Sequence, residues 1–153
     1  MKNLKPLIVG VGAGLIAYCL IFSLFHPFAV SGPSMEPTFY DENLVITKEY
    51  DGVAPRRGDV VIAVMGGKRV IKRVVALPGD AVGVRDGLLY VNGEISEYNF
   101  ELINEPGLLS EETTLHDDEY VLLGDNRNNS IDSRDNGPVS QKDILYKVKR
   151  KIF

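Results

Sequence analysis

Three sets of residues in this chain have the types and spacing that chemistry requires. Ser34 lies in Ser31-Gly32-Pro33-Ser34-Met35-Glu36-Pro37-Thr38, where a glycine and two prolines exclude helix and hold a turn that can present a hydroxyl as a nucleophile. Lys72 lies in Lys72-Arg73-Val74-Val75, inside a β-branched run. Side chains alternate along a strand, so Val70, Lys72 and Val74 share one face while Arg69, Ile71, Arg73 and Val75 take the other. An amine buried between two valines gives up its proton more readily, and a neutral lysine can take the proton of a serine hydroxyl. Periodicity alone favours a lysine that snorkels from an edge strand into water; the other two sets reverse that preference toward the base. The third set is the polar run Gly124-Asp125-Asn126-Arg127-Asn128-Asn129-Ser130-Ile131-Asp132-Ser133-Arg134. Within it Asp132 and Arg134 can form a bidentate ion pair, and Ser130 and Ser133 carry hydroxyls able to accept from a lysine amine and fix its direction.

Competing chemistries find less support. The oxygens of Asp125, Asn126 and Asp132 would suit calcium, but their spacing fits no calcium loop and no histidine lies nearby, so neither a metal nor an organic cofactor is expected. A serine-histidine-aspartate triad has only His26, beside Pro27, and His116, in an acidic stretch, to draw on. Neither is placed at a strand end that would present a base. Glu36 reads as a surface charge.

The elements that must position these residues begin with an apolar stretch of 22 residues, Leu7 to Phe28. No formal charge falls between Lys5 and Glu36 unless His26 is protonated. As a helix it would measure about 33 Å, enough for the ~30 Å hydrocarbon layer. Gly10, Gly12 and Gly14 weaken a helix in water, but in lipid unpaired peptide groups cost more. The expected organisation is therefore residues 1–28 as cytoplasmic tip and transmembrane anchor, with residues 29–153 as one extracytoplasmic domain. Lys2 and Lys5 precede the span with no acidic residue, which keeps the N-terminus cytoplasmic. A cleavable signal peptide is the alternative, with Ala29-Val30-Ser31 as its small-x-small site; the stretch is longer than a signal core, and cutting there would leave Ser34 on a frayed end. The chain's formal −4, less the +2 of the two lysines, leaves −6 on the exported part, which argues against nucleic acid as its partner; the apolar span makes the lipid bilayer one. Cys19 is the only cysteine, so no intrachain disulfide can form.

Beyond the anchor the pattern is that of strands. Gly58 to Met65 and Lys68 to Leu77 form a hairpin across Gly66-Gly67, closed by Pro78-Gly79-Asp80. Ala81 to Val84 and Leu88 to Val91 meet across Asp86-Gly87 and end at Asn92-Gly93, and Tyr120 to Leu123 and Ile144 to Val148 complete the set. Nothing from Ser31 onward shows a helical stripe. The soluble part is expected to be mainly β, an antiparallel, partly closed sheet structure, with one N-terminal transmembrane helix. The acidic stretch Ile95 to Asp118 reads as a surface excursion with little chemistry.

These segments together resemble the type I signal peptidases, serine-lysine proteases of the membrane. Ser34-Met35-Glu36-Pro37-Thr38 is similar to the family's nucleophile box and Arg57-Gly58-Asp59-Val60-Val61 to its next. Lys72 to Asp80 resembles the general-base box, and Gly124 to Arg134 with Gly137-Pro138-Val139 the last. The resemblance implies Ser34 as nucleophile, Lys72 as general base, Ser130 as the hydroxyl orienting the lysine, and Asp132 with Arg134 as a supporting ion pair. It also implies preprotein signal peptides as substrates, bound as an extended strand and cut through an acyl-enzyme. Gly32 stands where some members carry a serine that helps hold the oxyanion, so backbone donors, of Ser34 first and of Gly32, would carry more of that role, with Ser31 contributing only if the turn swings it inward. Lysine at position 72 places the resemblance on the bacterial or organelle side. Two other classes share parts of this pattern: self-cleaving repressor-type serine-lysine proteins, which lack a span, and an inactive anchored β module binding secretory or pilus components.

Overall fold

The computed structural model describes residues 9–12, 14–16, 26–50 and 53–152. The expected span falls largely outside them, and among the described residues no helix is long and apolar enough to cross a membrane.

Strand formation follows the β-branched runs. Val60–Met65 (β3) and Lys68–Ala76 (β4) pair antiparallel in register, Val61 opposite Lys72 and Met65 opposite Lys68. Their turn is Gly66-Gly67, with φ of 56° and 75°, the doubly left-handed geometry whose twist matches the flanking strands. His26–Ala29 (β1), Leu44–Glu49 (β2), Glu119–Leu123 (β9), Val139–Ser140 (β10) and Ile144–Lys151 (β11) complete a seven-stranded sheet in the order β1-β2-β11-β3-β4-β9-β10. A four-stranded sheet, β7-β6-β5-β8, is built from Ala81–Arg85 (β5), Leu88–Val91 (β6), Glu94–Ile95 (β7) and Thr113–Thr114 (β8). All pairings are antiparallel. Each sheet has two open ends, so neither closes into a barrel. The protein is mainly β, as expected from the sequence.

Five of the strands were not expected: β1, β2 and the two-residue β7, β8 and β10. β1 takes in His26, Pro27 and Phe28 from the end of the apolar stretch and pairs with β2, Phe28 opposite Val45. β2 alternates half-buried and buried residues over its first four positions, as a strand with one covered face does.

The cores explain why the pieces stay together. Val30, Met35, Phe39, Val45, Ile62, Ile71 and Val148 pack on one side of the large sheet, while Val61, Ala63, Met65, Val74, Tyr120, Leu122 and Ile144 form a second cluster. The third lies between Val75 and Ala76 of β4, Val121 and Leu123 of β9, and the small sheet. Ile103, Leu109 and Leu115 are buried in it. The stretch Ile95 to Asp118 is thus anchored into the core, a correction to the expectation of a surface excursion: its three spaced aliphatic side chains each remove apolar area from water, worth ~1.5–3 kcal/mol apiece.

Candidate active site

Ser34 is held by a turn with its own plug. Met35, fully buried among Ile62, Ile71 and Val148, pins the residue next to the serine. Glu36 N–H donates to Pro33 O at 3.1 Å and Phe39 N–H to Met35 O at 2.9 Å, which closes the turn. Ser34 itself stays half-exposed at the edge.

Lys72 reaches it from the middle of β4. Its Nζ donates to Ser34 Oγ at 2.8 Å and to Ile71 O at 3.0 Å. With 3% of the residue exposed, the dominant effect on the amine is desolvation, which lowers its pKa; Asp132 and Asp125 pull the other way, and Arg134 adds to the lowering. The net shift is downward from the ordinary 10.5, because among the described residues no carboxylate forms an ion pair with Nζ to offset the burial.

The polar run folds over the pair. Asp132 accepts Arg134 Nε at 2.9 Å and Nη2 at 2.8 Å, and its Oδ2 also accepts the Gly124 N–H at 3.0 Å. Burial alone would raise the Asp132 carboxyl; the Arg134 hydrogen bond and charge, with the two backbone amides, overcome it and hold the carboxyl below its usual range. Asp132 also caps the short helix Ser133–Asn136 in a reciprocal capping box with Asp135. The two serines divide. Ser133 Oγ accepts the Leu122 N–H at 3.0 Å and serves the backbone. Ser130 Oγ is buried without a partner among the described residues; it lies against Gly124, where an added Cβ would come within 2.6 Å of Ser130 Cβ and 2.5 Å of Ser34 O. Ser130 therefore stands in the site while the lysine amine is directed by Ser34 and Ile71 O.

The structure adds residues the sequence reading assigned elsewhere. Asp125, set among the calcium candidates, accepts Arg73 Nε at 2.8 Å and Nη2 at 2.7 Å and the Thr38 hydroxyl at 2.6 Å. Arg73 Nη1 continues to Gly58 O at 2.9 Å. Asn126 completes the link, its N–H on Ser34 O at 3.1 Å and its Nδ2 on Pro33 O at 3.2 Å. These bonds tie the nucleophile turn to the polar run. The only sequence signal for them was the density of amides and carboxylates after Leu123.

Of the two candidate oxyanion donors, the Gly32 N–H is already given to Asp41 Oδ1 at 2.8 Å. Among the described residues no acceptor takes the Ser34 N–H. His26 ring-stacks near Tyr146, at 5.0 Å, and the His116 N–H binds Glu119; neither touches Ser34. Beside the pair a cleft opens, walled by Met65, Val70 and Ile131 and rimmed by Gly66, Lys68, Asn129 and Asn136.

The chain that carries this site is matched over residues 4–153 by a family model described as signal peptidase, peptidase S26. The chain belongs to that family. Its members are serine endopeptidases. A signal peptidase I of Bacillus amyloliquefaciens is 32% identical over 97% of this chain and 85% of the relative. A signal peptidase I P of Bacillus subtilis subsp. natto is 35% identical over 88% of this chain and 83% of the relative. A crystal structure of a signal peptidase I from Enterococcus faecalis V583 is 29% identical, with a TM-score of 0.47 over 66% of this chain and 98% of that one.

Proposed function

We propose that this chain is a membrane-anchored endopeptidase that removes N-terminal signal peptides from exported preproteins through a Ser34–Lys72 dyad. The observation that carries the reading is the 2.8 Å contact between the Lys72 amine and Ser34 Oγ at a buried position. A neutral amine has one lone pair and two N–H groups: it can keep its bond to Ile71 O and accept the serine proton. Oγ then attacks the scissile carbonyl, the Ser34 N–H faces the developing oxyanion, and the proton passes to the leaving amine as the C–N bond breaks. Water activated by the same amine releases the acyl group. Ser130, beside the pair with an uncommitted hydroxyl, orients the amine once the serine is acylated. Arg134 and Asp132 hold the loop that carries Ser130.

The substrate's place follows from pairing. β4 bonds to β9 only at Arg73, Val74 and Ala76, while Lys68 to Lys72 have β3 on one side and no strand on the other among the described residues. An extended preprotein segment fits there as an added strand, its alternate side chains entering the cleft by Met65, Val70 and Ile131. The chain would cross the membrane once, N-terminus inside and domain outside, so that enzyme and preprotein meet at the same lipid surface. The test is to incubate the detergent-solubilised chain and its Ser34→Ala variant with a purified preprotein. Mature product from the first alone is the expected result; equal product from both, or none from either, refutes the reading.

A further inference from the structure

Behind the Ser34–Lys72 pair lies a second pocket, of about 200 Å³, separate from the substrate cleft and lined by Asn104, Glu105, Arg127, Asn128, Ser130 and Arg134 among others. Its wall holds a buried cation without a counter-ion. Arg127 is 1% exposed; Nη2 donates to Tyr98 O, while Nε and Nη1 have no partner among the described residues. Burial pushes its pKa down to about 10, so it remains charged at neutral pH.

The nearby buried carboxylates are committed elsewhere, Asp125 to Arg73 and Asp132 to Arg134. Three guanidinium groups thus share two carboxylates, and the surplus charge sits on Arg127. The Phe100 ring, 5.7 Å from its Cζ, compensates only in part. Two acidic residues also line the pocket. Glu105 and Asp135 are exposed, and Asp135 Oδ2 already accepts the Asp132 N–H; among the described residues neither forms an ion pair with Arg127. A buried charge without a partner is costly, and a guanidinium prefers an oxyanion. A second donor lies at its edge: among the described residues the buried Ser130 Oγ has no partner, and Ser130 lines both this pocket and the substrate cleft.

We propose that this pocket binds an anionic oxygen group, a carboxylate or a phosphate-like or sulfate-like ion, on Arg127 with the Ser130 hydroxyl as a further donor. The group has two sources, a free small anion or an acidic side chain of a polypeptide passing Ser34. The first does not depend on the proposed protease function; the second rests on it.

The free-anion arm uses the intact detergent-solubilised chain at ionic strength fixed with sodium chloride, titrated with sulfate, inorganic phosphate or acetate by calorimetry and thermal melting. Saturable binding is expected, with a Tm rise of roughly 3–6 °C near tenfold excess over Kd, where linkage supplies about 1.4 kcal/mol. Arg127→Gln should weaken it at least about tenfold; Ser130→Ala, several-fold, supplies the readout if Arg127→Gln does not fold. The substrate arm compares kcat/KM for peptides differing only as Glu or Gln at one position on either side of the cut. A preference for Glu of about tenfold at one position, suppressed by sulfate, identifies the substrate as the source. Sulfate binding without that preference identifies a free ion. The proposal is overturned if no anion binds saturably and no position prefers Glu, or if a folded Arg127→Gln chain binds as the wild type does.

Discussion

Replacing Lys72 by methionine should make the protein more stable at neutral pH and less stable in strong alkali, so the two stability curves cross. Burial lowers the Lys72 pKa from its ordinary 10.5. Between the folded and unfolded values the unfolded chain binds the extra proton, so wild-type stability rises with pH across that window. Above 10.5 both states are neutral and the penalty is gone; below the folded pKa it is complete. Each pH unit inside the window is worth about 1.36 kcal/mol, so at pH 8 the ceiling is ~3.4 kcal/mol, the distance from 10.5 multiplied by that slope. Methionine removes this penalty and keeps most of the volume. It loses the hydrogen bonds to Ser34 Oγ and Ile71 O, a pH-independent cost of roughly 1–2 kcal/mol. The variant should therefore gain at most about 1–2 kcal/mol at pH 8 and lose about that much near pH 11. Urea unfolding of both proteins at each pH from 7 to 11 measures the difference directly, since every other titrating group is common to both. A difference that does not change with pH, or one that favours methionine more as pH rises, would refute a depressed lysine.

The same shift has a kinetic counterpart: preprotein cleavage should rise with pH as Lys72 loses its proton, with a midpoint below 10.5, and a His26 and His116 double replacement should leave that midpoint in place. Ser34→Ala and Lys72→Ala should each abolish cleavage in a folded domain, and combining them should cost nothing more, because the two act as a unit; near-normal turnover by Lys72→Ala would remove it as the base. Gly124→Ala forces a Cβ against Ser34 O and the Ser130 side chain, so kcat should fall at least about 100-fold, as misplacement near 1 Å does, while a Tm shift under a few degrees would confirm that the loss is local. Asp125→Ala strips Arg73 of its bidentate partner and should destabilise by roughly 3–5 kcal/mol in urea; a cost under 1 kcal/mol would mean that Arg73 finds solvent instead.

The sequence revealed the local features of this fold and only part of its long-range pairing. The β3–β4 hairpin was legible because Gly66-Gly67 separates two β-branched runs, and the Asp132–Arg134 pair because its members stand two residues apart. β1 was hidden, since His26, Pro27 and Phe28 continue an apolar run whose length already had an explanation. β2 was overlooked, although Leu44-Val45-Ile46-Thr47 follows a turn-forming Asp41-Glu42-Asn43. Asp125 was misassigned for a different reason. Its partner Arg73 is 52 residues away and Thr38 is 87, and no spacing rule reaches that far. The stretch from Ile95 to Asp118 misled through its net charge, which conceals Ile103, Leu109 and Leu115 at intervals of six.

The strand order has a consequence for the life of the chain. β11 follows every other strand in sequence, yet it sits between β2 and β3, pairing with both. Until it arrives, two strand edges face one another with nothing between them, and the cluster containing Met35 lacks Val148. A polypeptide emerging N-terminus first can make the β3–β4 hairpin early, but its large sheet stays split. Synthesis and completion of the sheet are therefore sequential for this domain, and the serine acquires a working setting only at the end. Trimming Ile144 to Lys151 would open the middle of the sheet, so nicked or prematurely terminated copies should be cleared by quality-control proteases instead of persisting as partial enzymes.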